Sequence, residues 1–216
     1  MSDLFAQYLK GGPFMHAISL TSMIGFALAF ERFMVLKKAS SIKKDELLNH
    51  INSYILQGNL EKAMAVTAQI RNPLTNIVRS GLVAVANNGD AEEVQTAMDA
   101  VALREIPKVE KRIGLLATLS NIATLLGLLG TVTGLIGAFA AVANVAPAEK
   151  ATLLANAIAT AMNTTAWGLI VAIPLLGAFG YLNSMAQGII DDVHESAVAT
   201  LNFILANKSK LRGGRG

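Results

Sequence analysis

The chain has 216 residues, 53% of them hydrophobic and only 15% charged, with a mean hydropathy of +0.48. An average soluble domain carries roughly 25% charged residues, so this composition excludes an ordinary water-exposed surface over much of the length and points to lipid. The net charge of +3 is spread along the chain, which argues against a nucleic-acid partner, and there is no Cys for a disulfide or thiol chemistry.

From the N-terminus, Leu4, Phe5, Tyr8 and Leu9 recur at helical spacing, so residues 1–12 read either as an amphipathic segment lying on the outer membrane surface or as a frayed terminus. The stretch has no basic region leading into a short apolar core, so the apolar segment that follows is expected to stay in the mature protein. That segment runs from Phe14 to Phe30 without a formal charge and, past Glu31-Arg32, on to Leu36, which makes residues 13–36 a first span. As sequence neighbours, Glu31 and Arg32 are expected to point in different directions on a helix and to act as an interfacial anchor.

Residues 37–112 are polar, with eleven of the eighteen Lys and Arg and nine acids. They read as four short amphipathic helices, Lys44–Gln57, Leu60–Gln69, Leu74–Asn87 and Ala91–Arg112. Turn signals separate them at Gly58-Asn59, Asn72-Pro73 and Asn88-Gly89-Asp90. Asp90, with Glu93 three residues on, is a capping-box pattern.

Two uncharged runs follow, Ile113–Ala148 and Ala151–Ile190, thirty-six and forty residues long. Each exceeds what a hydrocarbon core of about 30 Å needs, so residues 113–146 and 147–190 are read as spans two and three with cytoplasmic extensions. Residues 191–216 then form a tail. Lys and Arg concentrate in 37–112 and in the tail, against only Lys10 in the N-terminus and only Lys150 in the short second loop, which puts those two segments outside and the large polar region and the tail in the cytoplasm. The fold class is therefore an all-α membrane protein with three spans.

Span two carries Gly127, Gly130, Gly134 and Gly137 at spacings of three and four, a stripe that lets helix backbones approach closely. Thr124 and Thr131 are seven residues apart and share a face, with Ser120 one turn earlier. Span three has Asn156, Thr160, Asn163, Thr164 and Thr165, with Ala157, Ala161 and Gly168 between them. A hydroxyl in lipid ordinarily bonds its own helix or a neighbour, but a ladder of them on two consecutive spans suggests a narrow polar cavity enclosed by helices. Pro174 interrupts the ladder of hydrogen bonds in span three and marks a kink. Trp167 is either a packing residue or part of the lumen wall.

The two long runs hold no Asp, Glu, Lys, Arg or His. Moving protons through lipid normally requires an ionisable group, so either no protons move or another subunit donates the carboxylate. His16, His50 and His194 lack metal-ligand spacing, and no nucleophile–base set or phosphate loop is visible. Neither an enzyme nor a cofactor is therefore expected.

Over nearly its whole length the chain resembles the ExbB/TolQ/MotA proton-channel family, and most closely its ExbB/TolQ branch. The resemblance is carried by KGGPFM before the first span, ERF at its end, and QGNLEKAMAV with NPLTNIVRSGL in the polar region. LLATLSNIATLLGLLGTVTGLIGAF and NTTAWGLIVAIPLLGAFGYLN carry it in the long spans. It implies a ring, a pentamer, with spans two and three lining a pore in the inner membrane. That pore would hold single-span helices of an ExbD/TolR-type partner whose membrane Asp carries the proton. Thr131 and Thr165 match the family's pore threonines, with Thr124, Thr160 and Thr164 as further lining. The chain would then be the stator of a motor that energises a target at the periplasm or outer membrane, in TonB/Tol-like transport or gliding-type motility. Two departures stand out: Thr160 replaces a frequent family Glu, and Thr124 a frequent Pro. A structural membrane scaffold without transport is the alternative, and a self-sufficient channel is a third reading.

Overall fold

The computed structural model describes residues 12–40, 44–70, 72–143 and 145–208, so the expected N-terminal surface segment lies outside the described residues. Seven helices follow one another: α1 Pro13–Ser40, α2 Lys44–Leu56, α3 Leu60–Gln69, α4 Pro73–Ala86, α5 Ala91–Glu110, α6 Ile113–Val142 and α7 Pro147–Ala206. No strand occurs among the described residues. Three helical stretches are long and apolar enough to cross a membrane: Pro13–Ser40, Ala91–Val142 and Pro147–Ala206. The described residues divide into two compact units, one of residues 12–33 with 112–182, the other of residues 34–111 with 183–208.

The first unit is the apolar one. Pro13 opens α1 at its first position, where its missing N–H costs nothing, and Gly12 supplies the left-handed φ of +70° before it. α6 buries Leu116, Ser120, Ala123, Gly127 and Gly130, a repeat of four, three, four and three. α7 answers with Ala161, Thr164, Gly168, Ala172 and Leu175. This is the spacing of a helix–helix seam, here filled by small residues because in lipid close backbone contact, not water release, drives association. α1 joins through Gly25, where a Cβ would come within 2.7 Å of both Leu175 methyls. The outward positions are large and apolar: Met23, Phe26 and Phe30 on α1, Leu125, Leu128 and Ile136 on α6, and Ile170 and Ile173 on α7 are exposed. In water such a surface would drive aggregation, whereas acyl chains or neighbouring copies solvate it at no cost.

The second unit is a helical cluster with an amphipathic core. Leu47, Ile51 and Ile55 of α2 are buried at four-residue intervals, and α4 buries Ile77, Val78, Leu82 and Val85. Val94 and Met98 of α5 complete the core with Val193 and Ile204 of α7. Gly81 permits the closest approach, its Cα facing the Met98 sulfur. The helix starts are capped as the sequence pattern requires. Asn59 accepts from the Lys62 N–H, Asn72 forms a reciprocal box with Thr75, and Asp90 does so with Glu93. The Lys44 ammonium donates to Asp192 at 2.5 Å and to Glu195 at 3.1 Å, tying the start of α2 to α7. These two carboxylates hold the Lys44 ammonium well above its ordinary range.

Four expectations are corrected. Residues 191–206 are not a tail but the last turns of α7, whose 60 residues amount to about 90 Å. Their apolar face, Val193 to Ile204, is buried in the second unit, which keeps the helix going. The helix expected to run to Arg112 ends at Glu110, because Arg112 adopts a left-handed φ of +66° and starts α6 afresh. α6 stops at Val142, four residues short of the expected end. Finally, Glu31 and Arg32 do meet. Arg32 is 6% exposed and its Nη2 donates to Glu31 Oε1 at 2.7 Å, with Arg112 Nη1 at 3.5 Å from the other carboxylate oxygen. A long guanidinium stem can fold back over one residue, and a buried cation needs its partner more than the helix geometry resists it.

Candidate functional site: hydroxyls at the seam of two spans

The helix registry that seats Gly127 against α7 also brings Thr131 and Thr165 together. A Cβ at Gly127 would lie 3.1 Å from Thr165 Cα and 3.2 Å from the Thr164 carbonyl, so the two backbones are nearly in contact there. Thr165 Oγ1 donates to the Gly127 carbonyl at 2.9 Å. Thr131 Oγ1 lies 3.2 Å from the same carbonyl and 3.4 Å from that of Ala161, and the two hydroxyls are in hydrogen-bond contact with each other. Both threonines are half-buried.

Counting protons shows what this pair can do. The Gly127 carbonyl already serves the helix ladder through one lone pair, which leaves one for two hydroxyls. Thr165 holds it with the shorter bond, so in the contact between the two hydroxyls it is Thr131 that donates, to Thr165 Oγ1. A hydroxyl rotates about its C–O bond, so the Thr131 proton can leave Thr165 Oγ1 for the stronger acceptor that an incoming carboxylate would be. The oxygen lone pairs of the same two residues can equally accept from a protonated carboxylic acid. A neutral pair of this kind is chemically able to hydrogen-bond a carboxyl group in either protonation state without a buried charge of its own.

The other expected lining residues are placed differently from one another. Thr124 is exposed and bonds back to the Ser120 carbonyl at 3.1 Å. Thr160 is half-buried and bonds back to Asn156 at 2.9 Å. Thr164 is 2% exposed, its methyl filling the hollow over Gly130, where a Cβ would come within 2.4 Å of it. Gly130 and Gly134 pack against Thr164 and Ala161 respectively. Gly137, expected on the same stripe, has nothing within 4 Å of where its Cβ would be, so in this chain the stripe ends one turn earlier. Pro174 stays within α7 and is exposed.

The sequence pattern includes Gly168 and Ser120 but does not say what either of them meets. Gly168 makes the closest approach to backbone in the seam, its would-be Cβ 2.7 Å from the Ala123 carbonyl. Ser120, 3% exposed, donates across the seam to the Ala172 carbonyl at 2.7 Å, two residues before Pro174. The signal for both was present in the small-residue spacing, but only the relative register of two helices says which small residues meet.

Comparison with known proteins agrees with this architecture. The chain is 29% identical over 187 residues to a biopolymer transport protein ExbB homolog of Methanothermobacter thermautotrophicus, an alignment that takes in 86% of the chain and 65% of that relative's length. The chain thus spans about two thirds of the curated relative it matches. Residues 69–195, from the last residue of α3 through most of α7, match the MotA/TolQ/ExbB proton channel family. On that match, with three apolar helical stretches and a hydroxyl-lined seam between the last two, the chain belongs to the MotA/TolQ/ExbB proton channel family.

Proposed function

We propose that the chain is the channel-forming stator subunit of a proton-driven motor in the inner membrane, which borrows its titrating carboxylate from a single-span partner of the ExbD/TolR type. The observation that carries this reading is the Thr131–Thr165 pair over the Gly127 carbonyl, set in two runs that contain no Asp, Glu, Lys, Arg or His. A neutral pair able to donate and to accept suits an acid that must be both charged and neutral in one cycle, and a fixed charge there would trap it in one state. Several copies, five by analogy with the family, would surround the partner helix, their exposed apolar faces turned to lipid and to each other. Thr124 and Thr160 would line the path at either side of the pair, while Thr164 acts as seam filler and Pro174 as a bend. The target energised lies at the periplasm or outer membrane, in transport or in gliding-type movement.

The test is proton flux in liposomes holding the chain with its single-span partner. Thr165→Val is expected to cut flux at least about tenfold, the loss of roughly one hydrogen bond to a charged group, while the complex assembles as before. Thr165→Ser keeps the hydroxyl and should restore most of the flux. Full flux in Thr165→Val would remove the pair from the mechanism, and a wild-type complex that carries no protons would leave only a scaffold.

A further inference from the structure

We propose that Arg112 anchors a binding site for the phosphate group of an anionic phospholipid in the cytoplasmic leaflet. The inference goes beyond the function proposed above and holds whether or not the chain conducts protons. Three charged side chains meet at the site: Glu31 and Arg32 of α1, and Arg112. Two guanidiniums share one carboxylate, so the group carries one positive charge in excess. The sharing is unequal. Arg32 is buried and takes the short bond, 2.7 Å to one carboxylate oxygen. Arg112 is half-exposed and lies 3.5 Å from the other, well beyond the roughly 2.7–2.9 Å of a charge-assisted hydrogen bond. Its guanidinium makes no other hydrogen bond or ion pair among the described residues. A guanidinium has five N–H donors in a planar fork that fits two phosphate oxygens, and most of this fork is open.

The depth of the site follows from α1. Its uncharged run, Phe14 to Phe30, amounts to about 25 Å of helix, close to the roughly 30 Å of a hydrocarbon core. Glu31 therefore stands where the run meets the headgroups, and Arg112 reaches it at that level. By the Lys/Arg distribution this is the cytoplasmic side. An excess positive charge there favours a headgroup of net negative charge over a zwitterionic one. Phe30, just before Glu31, is 68% exposed and Leu115, three residues into α6, is 50% exposed, so both offer apolar surface to acyl chains below the phosphate. A Cβ at Gly114 would meet nothing within 4 Å, so nothing in the chain closes over this place. The backbone gives an independent reason. Arg112 holds a φ of +66°, which is unfavourable for any residue with a Cβ and which glycine would adopt freely. A long contact to a half-exposed carboxylate offsets little of that cost. A phosphate held by the open fork explains why a guanidinium is carried there. On binding, the phosphate would replace the long Glu31 contact, and Glu31 would keep Arg32.

The test is lipid retention by the full chain in detergent, read by native mass spectrometry as dioleoylphosphatidylglycerol or dioleoylphosphatidylcholine is added. The phosphatidylglycerol should be retained saturably and in preference. Arg112→Gly suits the backbone and removes the fork, so it should weaken that retention about tenfold or more, while the thermal midpoint without lipid stays the same or rises. Arg112→Lys keeps the charge without the fork and should fall between the two. Glu31→Gln removes the competing negative charge, its amide oxygen still able to accept from Arg32, and should tighten retention. The opposite signs separate a lipid site from a merely structural ion pair. For such a pair both Arg112→Gly and Glu31→Gln would lower the midpoint, and neither would change retention. Millimolar inorganic phosphate should leave the lipid in place. If it displaced the lipid and raised the midpoint as the lipid does, the ligand would be a soluble phosphate and the lipid assignment would fall. Unchanged retention in Arg112→Gly, or equal retention of the two lipids, would overturn the site. None of these readouts depends on proton flux, so the function proposed above stands or falls separately.

Discussion

At the residue scale, the close approaches in the seam separate glycines that look alike in sequence. Gly168 faces backbone: an added Cβ would sit 2.7 Å from the Ala123 carbonyl and 3.1 Å from Gly127 Cα, neither of which can rotate away. Gly168→Ala should therefore spread α6 from α7, cost about 1–3 kcal/mol as overpacking does, and break the Thr131–Thr165 contact. A lower thermal midpoint in detergent together with lost flux is the expected result. Gly137→Ala meets nothing within the chain and adds helix propensity, so the same measurement should show a midpoint unchanged or slightly raised. Equal effects of the two substitutions would mean that the seam is not where the structure puts it. Which glycine is tight was not legible in the stripe, since all four in α6 share the three-and-four spacing.

At the scale of elements, the helices of the second unit depend on their starts. Asp90 accepts the Glu93 N–H at 2.8 Å while the Glu93 carboxylate accepts from the Asp90 N–H at 2.9 Å. The cap of α5 was readable from four residues because a capping box is local: its geometry involves nothing beyond one turn. Asp90→Ala should destabilise the second unit by about 1 kcal/mol, seen as an earlier urea midpoint, with proton flux nearly unchanged. The end of α5 was not readable in the same way. Lys111 and Arg112 carry no stop signal, and the left-handed Arg112, a conformation that a non-glycine residue adopts only when its surroundings impose it, is a tertiary outcome. It stands beside Glu31, to which its guanidinium reaches back, and Glu31 is eighty-one positions away in sequence.

At the scale of the whole molecule, orientation and the ties that close the second unit can both be tested. Ala146→Cys, between α6 and α7, should label with an impermeant reagent from outside, and Gln57→Cys, after α2, only once the membrane is opened. The reverse pattern would overturn the reading of the Lys/Arg distribution. Lys44, held by Asp192 and Glu195, has a folded pKa above its unfolded value of about 10.4. The sign follows from linkage: the contribution is fully present below about pH 10.4 and is lost as the pH rises through the folded value. Because the pair is largely exposed its worth is small and salt-dependent. Lys44→Met should therefore lower the thermal midpoint only slightly, by an amount constant from about pH 7 to 9 and shrinking above about 10.4. A deficit growing with alkaline pH would reverse the assignment.

The class of fold, the three long apolar helical stretches, the four short helices with their turns, and the absence of any acid in the long runs were all determined by the sequence alone. Each depends on composition or on contacts within one or two turns, and the periodicity of a single helix carries that information. Register was decided by the tertiary structure. Thr131 and Thr165 share Gly127, Thr164 is buried over Gly130, Ser120 reaches Ala172, and α7 runs sixteen residues past its expected end to cover the second unit. A shift of one turn between α6 and α7 would leave every residue on the same helix face and abolish every one of those contacts. Only the packing of small side chains, backbone against backbone, selects the register that makes the pair.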